Sequence, residues 1–164
     1  MGLFSKLFKS DDRHISVGAP VKGRTVPLSE VSDPTFSAEI LGKGIAVIPE
    51  DDVIKSPCDG VIDLMFDTGH AVNLRCDNGA EVLIHVGLDT VSLKGEGFRT
   101  LKQTDEKVKK GDPLIEFDRV LLKEKGFDTV IPIIICNTDQ FKKVSGIEGK
   151  DVVPGDDVIV IEKE

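Results

Sequence analysis

Short apolar segments separated by turn residues constrain the fold of this chain most strongly. From about Ile15 onward, β-branched runs alternate with Gly, Pro, Asn and Asp. Closely spaced runs of this kind are typical of the strands of a sandwich or barrel. We therefore predict an all-β fold, an antiparallel β-sandwich or barrel-sandwich hybrid. The candidate strands are residues 45–48, 60–66, 71–76, 80–86, 114–117, 130–136 and 158–161.

Helical signals are few, so we predict one or two very short helices. Asp118 can cap a turn that contains Leu121 and Leu122, and Gly126 can end it. Residues 140–144 are a weaker candidate.

The sequence contains one internal repeat. Residues 107–118 resemble residues 151–162: Gly111 matches Gly155, and Asp112 matches Asp156. Each copy predicts a Gly-Asp turn that leads into a strand. Two copies are too few for a solenoid and indicate a sandwich with pseudo-symmetric halves.

Charge and cysteine content limit the functional classes. The 164 residues carry a formal net charge of −8, which would repel nucleic-acid phosphates, so we expect no nucleic-acid partner. The cysteines Cys58, Cys76 and Cys136 are odd in number and form no CxxC pair. This pattern predicts buried free thiols in a reducing cytosol.

The first residues differ in character from the remainder. We interpret residues 1–13 as an amphipathic tail and linker, and residues 14–164 as one domain. Within the tail, Leu3, Phe4, Leu7 and Phe8 fall on one helical face, and the polar positions include Lys6 and Lys9. A basic amphipathic segment predicts contact with anionic lipid through residues 2–9, hence a cytoplasmic protein peripherally associated with the membrane. The alternative is a frayed tail that docks on its own domain.

A hairpin signal brings two histidines together. Asp77, Asn78 and Gly79 separate two apolar strands. A two-residue loop at 77–78 would oppose His70 and His85 at ~5 Å, and a loop at 78–79 would make them diagonal neighbours on one face at ~7–8 Å. A three-residue loop would break this argument unless a bulge restored the phase. We therefore predict adjacent imidazoles, with Asp89 within reach of the same site.

Two chemistries suit such a pair. His70, His85 and Asp89 could supply three zinc ligands, but the H-x-H and HExxH elements of zinc hydrolases are absent from the sequence. Alternatively, a neutral imidazole could carry a phosphoryl group covalently. Because no convincing glycine-rich nucleotide motif is present, the donor would then be a protein.

The segment Gly79-AEVLIHVGLDTV-91 is similar to the signature of one family, the glucose-type enzyme IIA domain of the bacterial phosphoenolpyruvate:sugar phosphotransferase system. The resemblance covers about residues 33–161. Further landmarks are Ser56-PCDG-60, Leu93-KGEGF-98, Gly111-Asp112 and Cys136-Asn137. It implies an antiparallel β-sandwich, in agreement with the strand pattern.

The resemblance also implies residue roles. His85 would carry phosphate on Nε2, and His70 would help to donate it onward. Thr68 would hydrogen-bond His70, and Asp89 would be an acid beside the site. Four residues would form an apolar docking rim for protein partners: Phe36, Phe66, Leu83 and Val86.

The function implied is that of a phosphocarrier, which accepts a phosphoryl group from HPr and passes it to the IIB domain of a sugar permease. No cofactor is required, although in some members both histidines bind a zinc ion completed by a carboxylate of a regulated enzyme or transporter. Two alternatives remain open, a regulatory docking module switched by phosphorylation and a zinc-dependent hydrolase.

Overall fold

The computed structural model describes residues 13–164, so the predictions made for the tail lie outside the described residues. The strands are β1 (His14–Gly18), β2 (Gly23–Val26), β3 (Lys43–Pro49), β4 (Val53–Lys55), β5 (Gly60–Met65), β6 (Ala71–Cys76), β7 (Glu81–His85), β8 (Phe98–Thr100), β9 (Lys107–Val108), β10 (Pro113–Phe117), β11 (Ile131–Ile135), β12 (Lys143–Gly146), β13 (Asp151–Val152) and β14 (Asp157–Glu162).

These strands form three sheets. The largest is eight-stranded, in the order β13-β2-β3-β11-β7-β6-β5-β9, and the smaller ones are the three-stranded β1-β14-β12 and β4-β10-β8. Every strand pair described is antiparallel. The main core draws on all three sheets, with Ile84, Ile115 and Ile159 fully buried in it. The predicted all-β antiparallel sandwich is therefore confirmed.

The predicted strands all form, within one or two residues at each end. Several of the strands that the apolar pattern missed, such as β9 and β13, are very short. The helix candidate at residues 140–144 is wrong, because this segment leaves a 3-10 turn (Thr138–Gln140) and enters β12. There Val144 is buried, and β12 pairs with β14.

Two α-helices are present among the described residues, α1 (Pro34–Ser37) and α2 (Arg119–Glu124). As predicted, the Asp118 carboxylate caps α2 by accepting a hydrogen bond from the Leu121 backbone N–H at 3.0 Å. Helix α1 was not predicted, although the Asp33 carboxylate caps it by accepting from the Thr35 N–H at 2.9 Å and Pro34 begins it. Within residues 13–164, no helix has the length and apolar character needed to cross a membrane.

The predicted internal repeat is present in the structure. Gly111 and Gly155 adopt the left-handed φ values +96° and +97°, and the Asp112 and Asp156 carboxylates accept matching backbone hydrogen bonds of 2.9 and 3.0 Å. The repeat places β10 and β14 at the centres of the two small sheets, and β9 and β13 at opposite ends of the large one. The sandwich therefore has two pseudo-symmetric halves.

The prediction of three buried thiols is wrong. Cys58 and Cys76 form a disulfide, with their Cα atoms 5.8 Å apart. The pairing of β5 with β6 sets Gly60 opposite Cys76 and so brings the nearby Cys58 alongside. Cys136 is the free cysteine of the described chain, and it is exposed rather than buried.

Candidate functional site

The β6–β7 hairpin has a three-residue loop, so the predicted two-residue loops are wrong. Ala71 lies opposite His85, and the Cys76 N–H donates to the Ala80 carbonyl at 2.8 Å across residues 77–79. The Asn78 side chain accepts from the Ala80 N–H at 3.0 Å, which stabilises this longer turn. The register alone would therefore not pair the two histidines.

The histidine rings nevertheless meet, with centroids 5.1 Å apart at an interplanar angle of 80°. His70 precedes β6 and follows Gly69, whose φ is +70°. Because His70 lies outside the strand, the alternation of side chains along β6 does not fix its direction. The predicted adjacency thus forms by a backbone bend that the sequence pattern did not reveal.

Each imidazole is oriented through its Nδ1 atom. His85 Nδ1 donates to the Gly87 carbonyl at 2.7 Å. Gly87 has a φ of +79°, and its N–H donates to the Val130 carbonyl at 3.1 Å. His70 Nδ1 lies 2.5 Å from the Thr68 hydroxyl. With Nδ1 of His85 protonated in this way, the lone pair of the neutral ring is on Nε2.

Burial keeps both rings neutral. The pKa of His70 is lowered to about 4 by desolvation and by the nearby His85. Desolvation also lowers the pKa of His85, while the Gly87 carbonyl and the carboxylates of Asp33 and Asp89 oppose that shift. A neutral imidazole is the nucleophilic form, so the site holds its nucleophile ready near neutral pH.

Two phenylalanines flank the histidines. Phe36 lies 5.1 Å from the His85 ring, and Phe66 lies 5.3 Å from the His70 ring, both between centroids. Phe36 is only 4% exposed and packs into a second core cluster. It therefore supports the His85 ring and presents little surface of its own.

The remaining docking-rim residues differ in exposure. Phe66 and Leu83 are partly exposed and remain available to a partner. Val86 is fully buried, so its assignment to the docking rim is wrong. Its backbone turns the side chain into the core, where it joins the main cluster.

Acidic groups surround His85 without forming a metal cluster. Asp89 is exposed, and its φ of 60° starts the 3-10 turn Thr90–Leu93. Asp33, which was not predicted as a site residue, caps the start of α1. The Asp-Pro pattern typical of a helix start was the signal that could have identified it.

In residues 13–164, no three His, Cys, Asp or Glu side chains are grouped to hold a metal ion. The three-ligand set that the zinc-hydrolase alternative needs is therefore not assembled there.

The fold and the site together define a class of protein: an antiparallel β-sandwich with two adjacent, oriented imidazoles beside its β6–β7 hairpin. Residues 15–141 match the family model described as "phosphoenolpyruvate-dependent sugar phosphotransferase system, EIIA 1". The chain belongs to this family. It is a phosphotransferase-system component that carries phosphoryl groups between HPr and a IIB domain.

Relatives and a solved structure support this assignment over nearly the whole chain. The chain is 42% identical to the PTS system glucose-specific EIIA component of Oceanobacillus iheyensis, covering 96% of this chain and 98% of that protein. It is 40% identical to the Haemophilus influenzae protein of the same name, with both chains fully covered. The glucose permease IIA from Mycoplasma capricolum superposes with a TM-score of 0.81 and 34% identity, over 90% of this chain and 95% of that one.

The domain also occurs within longer proteins. The PTS system glucose-specific EIIBCA component of Corynebacterium glutamicum is 43% identical over 82% of this chain, which corresponds to 20% of that protein. Fusion of this domain to IIB and IIC domains fits a IIB domain as its transfer partner.

Proposed function

We propose that His85 is the phosphoryl acceptor and that its reacting atom is Nε2. The observation that carries the proposal is the 2.7 Å hydrogen bond from His85 Nδ1 to the Gly87 carbonyl. Nε2 attacks the phosphorus atom that HPr presents, the new N–P bond forms and the bond from phosphorus to HPr breaks. The proton on Nδ1 stays in place and the Gly87 carbonyl stabilises it while the ring gains positive character.

His70 takes the complementary tautomer in this scheme. When the Thr68 hydroxyl donates to His70 Nδ1, the ring proton of His70 is on Nε2. That N–H can then donate to a phosphoryl oxygen on His85, whose ring lies 5.1 Å away. Such a donor stabilises the charge on the oxygens of the phosphoryl group as it leaves for the IIB domain.

Asp33 and Asp89 provide the surrounding charge. Both raise the pKa of His85 against its desolvation, so both favour the positive character that the ring gains on phosphorylation. Their carboxylates also attract basic side chains of an approaching partner. The partly exposed Phe66 and Leu83 supply apolar contact beside them.

Zinc would enter this site only together with a partner. Two imidazoles, each with Nδ1 already engaged, fit as two nitrogen ligands, and a carboxylate from a regulated enzyme or transporter would complete the set. The ion would then join the two proteins through His70 and His85 and would block phosphoryl transfer while bound.

Reconstitution of the relay tests the proposed function. Labelled phosphoenolpyruvate, enzyme I and HPr should load one phosphoryl group on the chain, and a IIB domain of a glucose-specific permease should then remove it. Because the full-length relatives are named glucose-specific, we expect phosphorylation of glucose when the IIC domain is also present. Loading without onward transfer to the IIB domain would instead favour a regulatory docking module.

The tail gives a second prediction. We propose that residues 2–9 bind anionic lipid and hold the cytoplasmic domain, residues 14–164, near the membrane-embedded permease. Lys6 and Lys9 would each contribute ~1 kcal/mol of attraction at an anionic surface. Removal of residues 1–10 should leave loading by HPr unchanged but slow transfer to a permease in anionic vesicles, because the tail raises the local concentration there. Equal rates for truncated and full-length chains would contradict this role.

A further inference from the structure

A groove lies between β3, β12 and the segment that follows α1. It consists of two adjoining depressions of about 280 and 370 Å³ that share Glu39 and Lys43 as lining residues. We name it the Glu39 groove. Its walls include Ile40 and Leu41, whose side chains are 70% and 40% exposed. Large apolar side chains held open in this way are typical of an interaction surface.

The exposure of Ile40 and Leu41 follows from the backbone. Glu39 has a left-handed φ of +57° and follows the C-cap residue Ala38 of α1. A non-glycine residue in this region stores strain that must be offset elsewhere in the structure. The exposure of Ile40 and Leu41 thus accompanies a backbone turn at Glu39.

We propose that this groove binds the chain's own N-terminal segment, residues 2–9. Leu3, Phe4, Leu7 and Phe8 give that segment an apolar face to set against Ile40 and Leu41. This inference rests on the groove and the tail sequence and is independent of the proposed phosphoryl transfer at His85.

The start of the described chain lies within reach of the groove. Ile15 in β1 and Val144 in β12 both pair with Ile161 of β14, so they are ~10 Å apart across two strand spacings. Val144 lines the groove. The linker of residues 10–13 can span up to ~13 Å when extended, so residues 2–9 can reach the groove without moving β1.

Charge favours the same occupant. Three exposed acids line the groove, Glu39, Asp139 and Glu148, against the single basic lining residue Lys43 among those described. The tail brings Lys6 and Lys9 and no acid within residues 2–9. Because the tail is tethered, its effective concentration is in the ~mM range, and a weak contact is enough to keep it docked.

Docking and membrane binding would use the same apolar face of the tail, so they exclude each other. In the absence of lipid, the docked tail covers Ile40 and Leu41, which follow the helix that places Phe36 against His85. An anionic bilayer withdraws the tail and opens this surface.

Cys136 provides a direct test because it lines the groove and is the free thiol, whereas Cys58 and Cys76 are disulfide-bonded. Removal of residues 1–10 should raise the rate at which a chromogenic disulfide reagent modifies Cys136 by at least about threefold, as expected when two-thirds of the molecules are docked. Anionic vesicles should raise the rate for the full chain to the truncated value, and neutral vesicles should not. An unchanged rate on truncation would overturn the proposal.

A second readout separates docking in the groove from other contacts of the tail. The chain has no Trp or Tyr, so Phe8→Trp gives a single reporter, which we expect to emit at shorter wavelength in the full chain than in a free tail peptide. Combining it with Glu39→Lys and Glu148→Lys should shift the emission toward that of the free peptide. The matched control, Glu50→Lys with Glu124→Lys, changes two exposed acids outside the groove and should have no effect. Equal shifts in both double variants would also overturn the proposal.

Discussion

His85→Ala is expected to take up no phosphoryl group from phospho-HPr, because the nucleophilic Nε2 atom is lost. The substitution also removes a ring packed at 5.1 Å from Phe36, so we expect unfolding free energy to fall by about 1–2 kcal/mol without loss of the fold. Loading is measured as acid-labile label after incubation with phosphoenolpyruvate, enzyme I and HPr.

His14→Ala is the matched control for this substitution. His14 is exposed at the start of β1, pairs with Glu162 of β14, and is not among the aromatic rings packed against His70 or His85. It should load as the unmodified protein does. Stoichiometric loading of a folded His85→Ala protein would show that another residue accepts the phosphoryl group.

His70→Gln is expected to separate acceptance from donation. Loading at His85 should persist, because the Nδ1 contact of His85 with Gly87 does not involve His70. Transfer from the loaded protein to a IIB domain should fall by roughly two to three orders of magnitude, as when a preorganised donor to a charged group is lost. Rapid-quench measurement of each half-reaction gives the two rates, and equal loss of both would contradict the division of roles.

His70→Gln should also change how the free energy of unfolding depends on pH. The unfolded chain binds a proton at His70 near the ordinary pKa of 6.5, whereas the folded chain resists it down to about 4. The unfolded state therefore holds more protons at His70 in this range, so the His70 contribution to stability falls as the pH drops from about 7 to 5. This contribution amounts to about 2 kcal/mol, and it should be absent in His70→Gln, as urea unfolding at the two pH values would show.

Local pattern was sufficient to predict the strands and the α2 cap. Strand β11, for example, is the continuous apolar run Ile131–Ile135, and all five of its residues are buried. A short apolar run of this kind is typical of a buried strand. The Asp118 cap and the Gly126 stop are equally local, since each is fixed by hydrogen bonds within a few residues.

The errors arose where the outcome depends on tertiary contacts. The three-residue loop of the β6–β7 hairpin is held in part by Asn78, which donates to the Ser16 carbonyl of β1 at 3.2 Å. The disulfide depends on the register between β5 and β6, which the sequence spacing of Cys58 and Cys76 does not reveal. Val86 was misplaced for a related reason, because β7 ends at His85 and the next residue turns into the core.

The site was predictable because its motif is compact. His85, Gly87 and Asp89 lie within five consecutive positions, and the Gly87 carbonyl is fixed next to His85 by its own left-handed backbone. His70 and Asp33 reach the site from other elements. Only a resemblance to a known family assigned His70 its role, and Asp33 was not assigned to the site.

The position of the phosphorus atom tests the central claim most directly. After loading from HPr, histidine-selective ¹⁵N and ³¹P NMR spectra of the intact protein identify the bonded nitrogen. We expect one phosphoryl group on Nε2 of His85, with the Nδ1 proton retained in its bond to the Gly87 carbonyl. A phosphoryl group on His70, or on Nδ1 of either ring, would contradict the proposed mechanism.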